Sequence, residues 1–379
     1  VPHTAIITNE IRDLARLIGN AGPDAQDIHV MRLVGLLTER CADPDVKAKL
    51  AGADAATEMF APYPIDADGY AHAFDPLTEE DAFLTAWHRH GFVVGKGIAS
   101  SAQCTATVAA LKDRFNALGC DFDDRASWNA LPQDANGTSI LSRGFFELYH
   151  DDALAQLRQS PRFYLHHVLL WGRPDLWTSF DRLGVKPPEG ESAQGLPLHV
   201  DQNPKIRSDF ASVQGVLALQ DCPLERGTYA AVPGSRAMFP YYADMAKNMG
   251  EYVELNPYST LGATLGPNIQ PIPLRAGDLV SWDSRTTHCN TANVSDQTRL
   301  VAYVAAGPSG EAERELIAAR QDGFMTGLGS NVRRALMHAS KKPRFTDLET
   351  TAAIRQPEDL TLLGRLLYGA ARYDMLAHG

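Results

Sequence analysis

Hydrophobic positions recur at helical spacing through the first fifty residues. Thr8 is placed to cap a helix that carries Ile11, Leu14 and Ile18 on one face, with Gly19 as its expected stop. A second stretch, from about Asp27 to Arg40, repeats Val30, Leu33, Val34 and Leu37 at the same spacing. Residues 59 to 77 have no clear period, hold Pro62, Pro64 and Pro76, and read as a connector. Thr78-Glu79-Glu80-Asp81 then reads as a capping sequence, with acids in the first turn, where the helix dipole favours them. Phe83, Leu84 and Trp87 share the apolar face of that helix, and Gly91 ends it before a strand at Phe92-Val93-Val94. Ser100 caps a further helix with Val108, Leu111 and Phe115 apolar.

From residue 198 the pattern changes to short strands. Val213 to Leu219 is nearly all apolar, as in a strand covered on both faces. Thr228 to Val232 runs into the turn Pro233-Gly234, Asp278 to Trp282 follows Ala276-Gly277, and Leu300 to Ala306 is another β-branched run. Helical character returns after Gly310. Pro357 sits at a helix start with Leu360, Leu363 and Leu367 forming a stripe behind it. Helices therefore flank a β-rich centre of roughly residues 195 to 306.

Composition narrows the function. The 379 residues carry 35 Lys+Arg and 46 Asp+Glu, a net charge of −11, which argues against nucleic-acid or anionic-membrane partners. Hydrophobic residues at 44% and charged residues at 21% exclude a disordered or collagen-like chain. No stretch approaches the roughly 20 apolar residues that span a bilayer, and no secretory signal is visible. Cys41, Cys104, Cys120, Cys222 and Cys289 are scattered and odd in number, which reads as free thiols in a reducing, cytoplasmic compartment. The sequons at Asn136 and Asn293 then read as chance.

Twelve histidines are present, and most have an ordinary reading. His88 and His90 fall at a helix end, where a charged imidazole suits the dipole. His166 and His167 lie in an apolar run and read as packed. His199 is different. Leu196 to Asn203 reads as a strand end, where residues i and i+2 project to one side, so His199 and Asp201 can aim an imidazole and a carboxylate at one point. The spacing alone leaves open a surface turn. A second histidine from a distant strand would complete the 2-His-1-carboxylate triad that holds non-heme Fe(II) with open positions. His288 is such a residue, after the turn and strand at Arg275 to Trp282. Arg299, eleven residues further on (299 − 288 = 11), opens the next strand and could return to the same place, where its planar fork suits a carboxylate; a solvated strand-edge cation is the alternative.

Together these residues resemble the phytanoyl-CoA dioxygenase-like branch of the Fe(II)/2-oxoglutarate-dependent oxygenases. The resemblance rests on His199-x-Asp201, on Gly227 to Ser235 entering a Pro-Gly-Ser turn, and on Ala276-Gly277-Asp278 leading to His288. Asn293-x-Ser295-x-x-x-Arg299 matches the closing motif, and His90-Gly91-Phe92-Val93-Val94-x-Lys96-Gly97 matches an N-terminal strand signature; coverage is roughly residues 79 to 306. The resemblance implies an α+β fold with a double-stranded β-helix, a cupin-like jelly roll, flanked by helices. The chain would then be one oxygenase domain over 1–379: a helical extension at 1–77, the family-like region at 78–306 with its barrel core at about 195–306, and a second helical extension at 307–379. It also implies His199, Asp201 and His288 as catalytic iron ligands, Arg299 as the anchor for the far carboxylate of 2-oxoglutarate, and O2 as co-substrate.

Two positions depart from the pattern. Cys289 stands where glycine is common, and Arg236 where histidine is common. Asp201 occupies the place that halogenating members leave to halide, which favours hydroxylation or a related oxidation of a small molecule, with release of succinate and CO2. Strand alternation predicts that Cys289 points away from the metal. Substrate candidates are Gln202, Asn203, Lys205 and Arg207 after the triad strand, Arg285 before His288, and Arg143 with the run Phe145 to His150, which includes Tyr149. Two other classes compete: a cupin-type metal enzyme that does not use 2-oxoglutarate, and a non-catalytic jelly-roll binding module. Arg299 separates the first from the oxygenase, and the intact triad argues against the second.

Overall fold

The computed structural model describes residues 4–20, 23–52, 58–133, 139–141, 144–190, 193–202, 212–244, 253–254, 260–311, 314–327, 329 and 359–378. Helices α1 (Asn9–Asn20), α2 (Pro23–Ala42) and α3 (Pro44–Leu50) open the chain. Thr8 Oγ1 accepts from the Ile11 amide at 3.3 Å, and Ile11, Leu14 and Ile18 are buried as their spacing requires. Gly19 does not stop α1, which runs on to Asn20. Residues 59–77 form an irregular connector with isolated bridges at Ile65–Ala71 and Phe74–Gly95.

Helix α4 (Glu80–His90) begins at Glu79 with no side-chain cap. The expected capping role of Thr78 is therefore absent. Glu80 is instead buried and accepts from the Ile6 and Ile7 amides, with Lys49 Nζ at 2.7 Å, so it ties α4 to the N-terminal segment. Gly91 ends α4 at φ 79°, and a Cβ there would meet Thr286 Oγ1 at 2.6 Å. The charged-histidine reading at this helix end also fails. His88 and His90 are buried, and burial pulls both pKa values down, His90 to about 4, so they are held neutral.

Helix α5 (Ser101–Ala117) carries a full capping box between Ser100 and Gln103. Helices α6 (Asp152–Arg158), α7 (Pro161–Trp171), α8 (Thr260–Leu265), α9 (Arg314–Met325) and α10 (Leu362–Tyr368) complete the helical set among the described residues. Thr361 caps α10; Pro357, expected at that start, lies outside the described residues. No helix among them is long and apolar enough to cross a membrane.

Thirteen short strands are found among the described residues: β1 (Phe92–Gly95), β2 (Phe145–Phe146), β3 (Leu176–Thr178), β4 (Leu183–Lys186), β5 (Leu196–Val200), β6 (Val213–Ala218), β7 (Tyr229–Ala231), β8 (Val253–Glu254), β9 (Gln270–Ile272), β10 (Leu279–Asp283), β11 (His288–Asn290), β12 (Arg299–Tyr303) and β13 (Ala306–Pro308). They form antiparallel sheets ordered β1-β10-β6-β12-β4-β2 and β8-β5-β11-β7-β9, with β13-β3 apart. The β-rich region thus begins well before residue 195, because β1, β2 and β4 complete the six-stranded sheet. The run Leu300 to Ala306 is also two strands: β12 pairs with β4 and β6, whereas β13 pairs with β3.

Strands β6, β10 and β12 are apolar on both faces because both are covered. On β10, Ser281 turns outward to His166 of α7 at 2.8 Å, while its neighbour Trp282 turns inward to a cavity between the two large sheets. His166 and His167 are fully buried, as their apolar surroundings predict.

Candidate metal centre

Strands β5 and β11 pair so that His199 and His288 are direct cross-strand partners, with ring centroids 4.3 Å apart. Asp201 follows two residues after His199, on the same side. Its amide donates to Ser284 O at 3.2 Å, which fixes the strand end. His199 Nε2 lies 3.8 Å from Asp201 Oδ1, and His288 Nε2 lies 3.3 Å from Oδ2. One ligand atom from each of the three residues falls within 4.8 Å of the others.

The other ring nitrogens decide the tautomers. His199 Nδ1 is 2.7 Å from Pro197 O, and His288 Nδ1 is 2.9 Å from Thr286 O. A carbonyl oxygen only accepts, so each Nδ1 carries a proton, and it is the neutral ring that turns an Nε2 lone pair towards Asp201. Two imidazole lone pairs and a carboxylate oxygen, with the imidazoles oriented from behind by backbone carbonyls, fit a divalent metal ion such as iron. Gln214 Nε2 and Trp282 Nε1 (3.2 Å) both donate to Asp201 Oδ2. Tyr229 stacks on Trp282 and on His288, closing one wall.

The cavity holds about 270 Å³ and reaches Arg299, which is only 4% exposed. Arg299 Nε has no hydrogen-bond partner, and no carboxylate among the described residues pairs with its guanidinium. Lys186 is its direct cross-strand partner, and its Nζ donates to Gln194 O at 2.8 Å, Asn290 Oδ1 at 2.5 Å and Thr291 O at 3.2 Å. Burial, and then Arg299, push the Lys186 pKa down to about 7. Two buried cations placed directly opposite repel each other. Arg299, a buried cation on the cavity wall with no carboxylate partner among the described residues, suits an anion.

The substrate candidates fare differently. Phe145 lines the cavity. Arg285 does not; Asp283, two residues back, takes its guanidinium in a two-pronged pair at 2.8 and 2.5 Å. Tyr149 is buried away from the cavity and packs against Gly329. Gln202 is also buried and accepts from Ser284 Oγ at 2.7 Å, so it braces the loop ahead of His288. Asn203, Lys205, Arg207 and Arg143 lie outside the described residues. Cys289 stands outside the metal-binding group yet lines the cavity, contrary to strict alternation; the β5–β11 register shifts between His288 and Asn290. Burial pushes its thiol up to about 11. Arg236 donates to His88 O. Asn293 is buried, and its Nδ2 donates to Lys186 O at 3.0 Å, which removes it as a surface sequon.

Several wall residues escaped the sequence reading: Asp181, Arg182, Gln214, Tyr229, Trp282 and Tyr303. One signal was available. Gln214 is the single amide in the otherwise apolar run Val213 to Leu219, and a polar side chain inside a doubly covered strand must meet a partner.

Comparison with known proteins supplies the family. The chain is 26% identical over 214 residues to Ava biosynthesis cluster protein O of Aspergillus versicolor, a match covering 50% of this chain and 65% of that protein, so it spans less than two thirds of that relative. The solved protein JW0805 of Escherichia coli superposes with a TM-score of 0.56 at 17% identity, covering 95% of this chain and 96% of the other, which extends the shared fold to the terminal helices. The epimerase SnoN, solved with Fe3+, alpha ketoglutarate and nogalamycin RO, covers 61% of this chain and 84% of its own at a TM-score of 0.44 and 19% identity, too distant for its ligands to be carried over. The phytanoyl-CoA dioxygenase (PhyH) family matches residues 87–301, more than half of the sequence and inclusive of His199, Asp201, His288 and Arg299, and this chain belongs to that family of oxidoreductases.

Proposed function

We propose that the protein is an Fe(II)/2-oxoglutarate-dependent dioxygenase that hydroxylates, or otherwise oxidises, an unactivated C–H bond of a small molecule. His199, Asp201 and His288 are its iron ligands, and Arg299 holds the far carboxylate of 2-oxoglutarate. The two large sheets are the halves of a double-stranded β-helix, and residues 1–379 form one oxygenase domain with helical extensions at 1–77 and 307–379. The observation that carries this reading is the pair of imidazoles with Nδ1 committed to backbone carbonyls and Nε2 turned to a shared buried carboxylate. The buried cation Arg299, unpaired by any described carboxylate and lining the cavity, favours an acidic co-substrate over a cupin-type reaction without one.

Fe(II), when bound, supplies the O2 chemistry that couples decarboxylation of 2-oxoglutarate to succinate and CO2 with oxidation of the substrate. The chain's residues do the rest. Pro197 O and Thr286 O hold the imidazoles in one tautomer and one orientation. Gln214 and Trp282 grip Asp201 Oδ2, which limits how the carboxylate turns. Arg299 orients the co-substrate by a planar, two-pronged contact that lysine could not reproduce. Tyr229, Trp282 and Tyr303 keep water from the inner wall.

The test is an anaerobic titration of 2-oxoglutarate into the Fe(II)-loaded protein, followed by a screen for substrate-dependent succinate release and a gain of one oxygen by mass spectrometry. A weak visible charge-transfer band is expected. Absence of the band together with an active His288→Ala variant would overturn the assignment, and turnover without 2-oxoglutarate would favour the cupin-type alternative.

A further inference from the structure

Two arginines line the cavity, and their backbones meet β12 at opposite ends of that strand. Arg299 opens β12, whereas the Arg182 carbonyl accepts from the amide of Tyr303 at the far end of that strand, at 3.0 Å. At about 3.3 Å per residue, roughly 13 Å of strand separates these levels. Arg182 therefore enters the cavity from a different level of the sheet than Arg299 and is available to another molecule. We infer that Arg182 anchors a carboxylate on the small-molecule substrate.

The Arg182 guanidinium makes no hydrogen bond to any described residue, and its Nε is buried without a partner. The side chain is 21% exposed, so its terminal amino groups are the reachable part. Phe145 supports the fork, with the guanidinium carbon 4.1 Å from the ring centroid. A guanidinium held over a ring and left with open N–H groups is prepared for a planar, two-pronged acceptor.

Asp181 is the obvious rival partner, and its geometry rules it out as a full one. Its Oδ1 accepts from the Arg182 backbone amide at 2.9 Å and remains 3.8 Å from Arg182 Nε. That is an ion pair without a hydrogen bond. Asp181 offsets part of the charge and leaves the donors unused. It is also committed to a backbone amide, which makes a cationic substrate the poorer fit.

Other buried arginines show the contrast. Arg320 donates to Thr178 O, Leu367 O and Tyr368 O and lies over the rings of Trp177 and Phe180. Arg158 donates to Tyr149 O and Asp181 O. Those side chains hold the fold together, whereas Arg182 faces a cavity. The neighbouring wall adds the remaining specificity. Phe145, Val216 and Tyr303 present apolar surface beside Arg182. The substrate class is therefore a small carboxylic acid with an apolar aliphatic or aryl body. The cavity of about 270 Å³, which the co-substrate shares, limits the substrate to a small molecule.

This assignment rests on the oxygenase reading for the reaction that follows, but the binding can be measured without iron. The probes are matched pairs, octanoate with octanamide and phenylacetate with phenylacetamide, titrated calorimetrically into the metal-free full chain. The expected result is that at least one acid binds about 10- to 100-fold more tightly than its amide. Arg182→Met should abolish that preference and Arg182→Lys should restore part of it, while Arg299→Ala leaves it intact. If neither acid exceeds its amide, the proposal fails on the wild type alone, whatever the variants do to folding. If the preference is lost in Arg299→Ala and kept in Arg182→Met, the acids sit at the co-substrate end and Arg182 is not the anchor. Loss of the 2-oxoglutarate band with the acid preference intact would instead count against the oxygenase reading and leave the Arg182 site standing.

Discussion

His166 and His167 are adjacent on α7, both fully buried, with ring centroids 5.0 Å apart. His199 and His288 come from two strands and bring their rings to 4.3 Å. In ring distance the two pairs are alike, although His199 is half-buried where the other three rings are buried. They differ in what the ring edges meet. His166 Nε2 meets Ser281 Oγ and His167 Nδ1 meets Phe163 O, both at 2.8 Å, and no carboxylate among the described residues reaches either ring. Burial pulls both pKa values down, that of His167 to about 4, and the pair is neutral packing. In the second pair a buried carboxylate faces both Nε2 atoms, and the opposite ring edges are locked by carbonyls. What makes a close histidine pair a candidate metal centre is the direction of its ring nitrogens and the presence of a shared anion.

The strongest way to break this comparison is to exchange its members. His288→Ala should lower Fe(II) affinity by more than about 100-fold and abolish turnover, since even the outer partners of a metal ligand cost about 10- to 100-fold. His166→Ala should leave Fe(II) affinity unchanged, which anaerobic metal titration of both variants would check. Retained iron binding in His288→Ala would erase the distinction between the pairs.

Arg299→Ala comes next. Removing one partner of a buried charged pair costs about 3–5 kcal/mol, so the apparent constant for 2-oxoglutarate should rise by about two orders of magnitude or more. Iron binding should hardly change, and Arg299→Lys should recover only part of the loss. Equal affinities in the anaerobic titration would remove Arg299 from the site.

The packed pair should show its role in stability. His166→Ala deletes a buried ring and its bond to Ser281, and should cost about 2–4 kcal/mol in denaturant unfolding. Acid should reveal the same histidines. His90 and His167 fold with pKa values near 4 against an ordinary 6.5. Below 6.5 the unfolded chain binds protons that the folded chain refuses. The stabilisation is therefore present above 6.5 and is lost as pH falls towards 4, on the order of 3 kcal/mol for each histidine. Unfolding curves between pH 7 and 4 test this; a flat profile would mean that these rings are not held neutral. Cys289→Ser should have the smallest effect, about twofold or less on Fe(II) affinity, because the thiol lies outside the donor group although it lines the cavity. A large loss would add it to the metal centre.

Local pattern placed most helices and the inner strands well. The stripes at Ile11, Leu14, Ile18 and at Val30, Leu33, Val34, Leu37 face the core, and Ser100 with Gln103 closes its capping box. These features depend on residues within a few positions of one another, where spacing fixes geometry. Strands β2 and β4 went unread because two to four residues carry no period, and only pairing, of β4 with β12 and of β2 with β4, makes them strands. Thr78 failed as a cap for a similar reason. The helix starts after Glu79, with no side-chain cap, and Glu80 is drawn to the Ile6 and Ile7 amides some seventy residues away in sequence.

The site divides in the same way. His199-x-Asp201 was legible because a strand projects alternate residues to one side, a property of two neighbours on one strand. The sequence by itself thus singled out His199, Asp201 and His288 as a candidate metal site and Arg299 as a candidate anchor, and it pointed to the family. Tertiary structure alone decided what completes them. It set Lys186 opposite Arg299, Gln214 and Trp282 on Asp201, and Arg182 on Phe145, all across sheet pairings or the gap between sheets. It also withdrew Arg285, Gln202 and Tyr149 from the cavity, each held by a partner or packed against one. Which face a side chain serves depends on register and on the partner that claims its hydrogen bonds. Neither is fixed until distant segments have packed together.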